Sequence, residues 1–200
     1  EQVLVGTDTP FCVYSAAKAV TTTVVHMLVE RGYFSLDDRV CDYLPEYTSH
    51  GTDRTTIRHV MTHSAGVPFA SGPRPSLKRM NDSEYTRRKL AELKPIHRPG
   101  LIHIYHGLTW GPLVREIVSA ATGQNIRDIL ATEILDPLGF RWTNYGVAEQ
   151  DVPLVAPSHV TGKPLSAPIA AAFRAAIGGT MQQIIPFSNT PLFLTGVIPS

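Results

Sequence analysis

Ser15 and Lys18 stand three residues apart in Ser15-Ala16-Ala17-Lys18. On a helix that spacing puts a hydroxyl and an amine side by side on one face. A serine hydroxyl is a weak nucleophile and needs a base within hydrogen-bond reach. A lysine serves as that base when neutral, and burial among apolar residues favours the neutral amine. A helix beginning at Ser15 would also aim backbone N–H groups, that of Ser15 included, at whatever the serine attacks. The string alone is weak, because about one S-x-x-K is expected by chance in a chain this long. A capping serine followed by a surface lysine would read the same way.

Tyr105-His106-Gly107 is the second constellation. A tyrosine held beside an ammonium loses its proton more readily, and can then take or return a proton at the serine. A tyrosine packed under a helix with its hydroxyl satisfied is the plainer reading. His103 and His106 flank Tyr105, and one of the two is expected to line the pocket. His59 and His63 are four apart, but no glutamate lies between them in H-E-x-x-H fashion and no cysteine or carboxylate completes a set, so no metal is expected. The chain holds no G-x-S-x-G, P-loop or G-x-G-x-x-G. Cys12 and Cys41 are too few for a disulfide framework. Cys12, lacking an activating neighbour, reads as a small buried hydrophobe.

These groups need elements to hold them. Pro10–Tyr14 reads as a short buried strand with proline at its entrance. Ala16–Arg31 contains no Gly or Pro and ends at Gly32, as a helix does. Its apolar residues cover nearly the whole circumference, so it is expected at the centre of the molecule. Phe34–Asp38 is turn-like and Thr56–Thr62 a short helix. Gly66–Ser76 reads as a loop and Ser83–Leu93 as an amphipathic surface helix. Leu108–Ala121 is a helix stopped by Gly123. Another, Asn125–Leu135, is capped by Asn125 and ended by Pro137 and Gly139. Helical periodicity returns at Ile169–Ile177, and the last stretch is expected to be irregular or β.

Of the 200 residues, 43% are hydrophobic and 18% charged, with a formal net charge of +1. That is a globular composition without the charge imbalance of a nucleic-acid or membrane-surface binder. Arg87-Arg88-Lys89 is the one basic cluster and reads as a solvated helix face. No run is long and apolar enough for a transmembrane span. No leader is visible, which favours a cytoplasmic location. Yet Glu1 is not an initiating Met, and a fragment of something longer is expected.

Residues 10–47 (PFCVYSAAKAVTTTVVHMLVERGYFSLDDRVCDYLPEY) resemble the active-site helix and following segment of serine β-lactamase-related proteins: class C β-lactamases, D-alanyl-D-alanine carboxypeptidases and family VIII esterases. Within them Gly32 to Pro45 resembles G-x-L-x-L-D-D-x-V-x-x-Y-L-P. Residues 57–68 (IRHVMTHSAGVP) are similar to I-x-x-L-L-T-H-x-S-G-L-P, and residues 99–123 to the segment bearing Y-S-N. Asp136-Pro137-Leu138-Gly139 matches a following P-L-G-M. As an ordered set the resemblance is far more specific than S-x-x-K.

The resemblance implies an α+β fold of the β-lactamase/transpeptidase type: an antiparallel sheet flanked by helices, an all-helical lobe, and the site between them. Residues 1–200 would form a single incomplete catalytic domain, with 48–146 mostly the helical lobe. Ser15 would be the acylated nucleophile, Lys18 its base and Tyr105 the second-motif tyrosine, with His106 and Gly107 against substrate. The implied reaction is acyl transfer through an acyl-enzyme on a small ester or amide, with no cofactor, metal or nucleic acid. Gly107 replaces the Asn that binds the substrate's amide, which favours ester hydrolysis or transesterification over β-lactamase or D-Ala-D-Ala carboxypeptidase action. The third motif, K-T-G or H-T-G on a strand, is not found. Thr161-Gly162-Lys163 has the wrong order, and Leu194-Thr195-Gly196 lacks the basic residue. Its loss would leave the fragment inactive, or mark a non-catalytic penicillin-binding-like homologue.

Overall fold

The computed structural model describes residues 4–69, 79, 81–177 and 179–197. Its longest helix, α1 (Ala17–Glu30), follows directly on a 3-10 turn, Tyr14–Ala16. Helices α2 (Ile57–Met61), α3 (Ser83–Ala91) and α4 (Trp110–Thr122) follow. Then come α5 (Ile126–Leu130), a π-helical turn over Ala131–Leu135, and α6 (Asp136–Leu138). Helices α7 (Ala167–Ile177), α8 (Met181–Ser188) and α9 (Pro191–Leu194) complete the order.

One core runs through the first five helices. Val24, Val25 and Leu28 of α1 pack in the same cluster as Ile57 and Val60 of α2, Leu90 of α3, Leu113 and Ile117 of α4, and Ile129 and Leu130 of α5. Side chains buried this fully contribute about 1.5–3 kcal/mol each relative to exposure. Local signals mark the ends. Thr56 and His59 form a capping box at α2, Asn125 accepts from the Arg127 amide, and Gly123 closes α4 at φ 70°.

The L-D-D segment acts as a clasp. Asp37 takes the Arg58 guanidinium through two bonds of 2.7 and 2.8 Å. Asp38 accepts from the Ser35 amide and the Tyr43 hydroxyl. A buried ionic knot joins α3 to α4. Glu116, 1% exposed, accepts from Ser83 and Arg87 of α3 and from its neighbour Arg115, while Arg115 reaches Thr86 at 2.8 Å.

Several expectations are corrected. Pro10–Tyr14 is not a buried strand. Phe11 makes one isolated parallel bridge to Ala156, and Phe11 and Val13 are 62% and 49% exposed, because no second strand lies against them among the described residues. Helix α1 is not buried all round: Thr21, Val24, Val25 and Leu28 are buried, whereas Ala19, Thr23 and His26 are exposed. Arg87-Arg88-Lys89 is not uniformly solvated, since Arg87 is drawn inward by Glu116 at 3.0 Å. Pro137 does not end its helix. It lies near the start of α6, directly after the π-helical turn, and Gly139 at φ 68° is the terminator. The stretch after residue 180 is helical rather than β, and Leu194-Thr195-Gly196 closes α9 instead of lying on a strand. The loop expected over Gly66–Ser76 falls outside the described residues from position 70 onward. No described helix is long and apolar enough to cross a membrane.

Candidate active site

The chain changes direction sharply just before Ser15. Tyr14 adopts a left-handed conformation, φ 47°, which costs a non-glycine residue about 1–3 kcal/mol. Its hydroxyl is tied to Ser188 Oγ on α8 at 2.7 Å. Ser15 then lies exposed in the first helical turn, where amides have no acceptor from within their own helix. One turn on, Tyr145 donates to the buried Thr21 hydroxyl at 2.9 Å and anchors α1.

Three of the residues singled out from the sequence come together. Lys18 Nζ lies 3.4 Å from Ser15 Oγ, and the Tyr105 hydroxyl donates to Ser15 Oγ at 2.6 Å. Lys18 is half-buried rather than fully buried. Its amine sits 5.2 Å from the centre of the Tyr105 ring and 5.3 Å from that of Trp110, within reach of cation–π attraction.

The loop bearing Tyr105 is fastened to the segment after α2. Gly100 N donates to Ser64 O and Ile96 N to Gly66 O, both at 2.8 Å. Gly66 has φ +80°, and a Cβ there would meet His97 O at 2.5 Å, so only glycine lets the two strands of chain touch.

His106 does not line the opening. It is 1% exposed, its Nε2 accepts from Val67 N at 3.1 Å, and its Nδ1 faces Ile104 O. Both ring nitrogens are therefore used within the protein, and it cannot hold a substrate polar group. Gly107 is half-buried beside it and presents no side chain. His103 binds Thr62 O through Nδ1.

His59 spends its Nδ1 on the α2 capping box. Among the described residues no cluster of three His, Cys, Asp or Glu side chains is arranged to hold a metal.

Two neighbours of the site escape sequence reasoning. Trp110, five residues after Tyr105 and 1% exposed, backs Lys18. His63 stacks against Tyr105 with ring centroids 4.9 Å apart. Burial, helped by the nearby His106, Lys18 and His103, pushes His63 from its ordinary 6.5 down to about 4. Burial also lowers His59 and His106.

Each of these histidines has a folded value below its unfolded one, so as pH falls the unfolded chain takes up protons first. Stability is therefore expected to fall between pH 6.5 and about 4. Denaturant midpoints measured across that range check this, and His63→Asn should flatten the slope. A midpoint independent of pH there would contradict it.

The Beta-lactamase family model matches residues 1–185. The esterase/beta-lactamase LipL of Mycobacterium tuberculosis is 32% identical over 146 residues, covering 73% of this chain and 33% of that protein. A penicillin-binding protein homologue from Caulobacter crescentus superposes with a TM-score of 0.76 at 29% identity, over 90% of this chain and 49% of that one. EstA from Arthrobacter nitroguajacolicus superposes at 0.73 and 27% identity, over 92% and 50%. The chain thus spans about half the length of these solved structures and a third of LipL.

Proposed function

The chain belongs to the beta-lactamase family, and from that premise we propose that it carries the nucleophile-bearing part of a serine hydrolase acting on carboxylic esters. The observation behind this reading is the convergence of the Lys18 amine and the Tyr105 hydroxyl on Ser15 Oγ, at 3.4 and 2.6 Å.

Ser15 Oγ attacks the ester carbonyl carbon while its proton passes to the Lys18–Tyr105 pair. The resulting oxyanion is met by the Ser15 amide at the start of the helix. The carbonyl–alkoxy bond then breaks, and the pair returns the proton to the departing alkoxide as the alcohol leaves. Water repeats the sequence on the acyl-enzyme. It gives its proton to the pair, and Ser15 leaves as an alkoxide and recovers it, releasing the carboxylic acid.

Esters are preferred over amides because Gly107 offers no side-chain amide where the Y-x-N pattern has one. LipL, whose name joins esterase and beta-lactamase, keeps β-lactam hydrolysis as the competing reading.

The test uses the natural full-length protein. A fluorophosphonate adduct mapped to Ser15, together with faster turnover of p-nitrophenyl butyrate than of a chromogenic cephalosporin, supports the ester reading. The reverse preference replaces it with the lactamase reading, and absence of an adduct at Ser15 overturns both. Tyr105→Phe keeps the ring against His63 and Lys18 but removes the proton path. It is expected to lower kcat for the ester about 100-fold, within the range for one general acid–base group. A kcat within a few-fold of wild type would remove Tyr105 from the proton path.

A further inference from the structure

We infer that His63 is a positioning residue for Tyr105, gripping the peptide amides on either side of it. The inference rests on the acyl-transfer reading of Ser15 and Tyr105.

Ile104 N donates to His63 O at 3.0 Å, and His106 N donates to His63 Nδ1 at 3.1 Å. The imidazole lies against the Tyr105 ring, tilted by 52°. One residue therefore holds the tyrosine from three directions: by the amide before it, by the amide after it, and by its ring. The backbone conformation of His63, φ 57°, is uncommon for a side-chain-bearing residue. It follows directly on α2, where His63 N closes onto Val60 O at 3.1 Å, so the grip starts from a fixed helix end.

The grip has a chemical requirement. Nδ1 must be an acceptor, which fixes the ring proton on Nε2. The hydroxyl of Tyr105 meets Ser15 Oγ at 2.6 Å, a contact that a small displacement of the loop would break, and displacements of about 1 Å at a reacting centre cost on the order of 100-fold in rate. His63 thus acts through Tyr105, whose flanking amides and ring it holds.

Asparagine and phenylalanine separate the possibilities. The asparagine of the H63N variant would offer its side-chain oxygen at the atom position of Nδ1 and tolerates left-handed backbone well, so this variant keeps the acceptor. The H63F variant keeps a ring and loses the acceptor. In the full-length protein, H63F is expected to lower kcat and the rate of fluorophosphonate labelling about 10- to 100-fold with KM nearly unchanged, and H63N to stay within roughly threefold of wild type. Thermal melts of both variants are the check that each is folded before its rates are compared.

The unaltered protein supplies an independent reading. The nitrogen-15 shifts of the His63 ring should report an unprotonated Nδ1 and a protonated Nε2 at pH 7. A protonated Nδ1, or H63F as fast as wild type, or a folded H63N as slow as H63F, overturns the inference while leaving Ser15 labelling intact. Wild-type protein that takes no label at Ser15 overturns the acyl-transfer reading and this inference with it.

Discussion

Ser15→Ala and Lys18→Met are each expected to lower kcat/KM for an aryl ester by at least about 1,000-fold, and the double variant to lose little more than either single one. Ser15→Ala removes the atom that forms the acyl-enzyme. Lys18→Met keeps an unbranched apolar stem but deletes the amine, which lies 3.4 Å from Ser15 Oγ and over the Tyr105 and Trp110 rings. Groups that act in one proton transfer fail together, which is why their losses do not add. Steady-state kinetics on the four proteins of the cycle decide the matter. Fully additive losses would mean that the amine serves a different step. A Lys18→Met enzyme within tenfold of wild type would take Lys18 out of the mechanism.

Glu116→Ala is expected to cost about 3–5 kcal/mol of folding stability, the usual penalty for breaking a buried ion pair from one side. Arg115 would remain 9% exposed with its charge no longer matched by the carboxylate, and Ser83 and Arg87 would lose the acceptor that joins α3 to α4. The Arg31–Glu133 pair is the contrast. Its bond is closer, 2.7 Å against 3.0 Å for Arg87–Glu116, but both side chains are more than a third exposed, so Glu133→Ala should cost far less. Urea unfolding of the two variants tests the difference, and equal losses would refute it.

What could be read from the residues was what local physics controls. Ser15 and Lys18 meet because i and i+3 share a helix face, whatever the rest of the chain does. Asn125 opens its helix, and Gly123 and Gly139 close theirs, by rules that act within one turn. The nearness of Tyr105 to that pair followed only from the order of the resembling segments, because nothing local spans the interval. His63, Trp110 and Ser188 were not legible for the same reason. Each owes its place to residues far away in sequence, and four-residue spacing invited His63 to be weighed only as a metal ligand. The burial of α1 was overestimated because apolar composition says which faces can be covered, not which are. Arg87 was misplaced because its partner Glu116 lies 29 residues on.

The Tyr14–Ser188 hydrogen bond joins residues 174 apart, and the Tyr105–Ser15 bond joins residues 90 apart. Contacts of such high contact order carry a large loop-closure entropy and form late in folding. The turn that sets Ser15 in its pose is thus expected to be completed only when α8 docks against it. A nascent chain with α1 formed would hold the serine and lysine side by side without the posture to use them. Covalent labelling of Ser15 during refolding should therefore lag behind the appearance of helical signal, making the nucleophile a clock for the docking of α8.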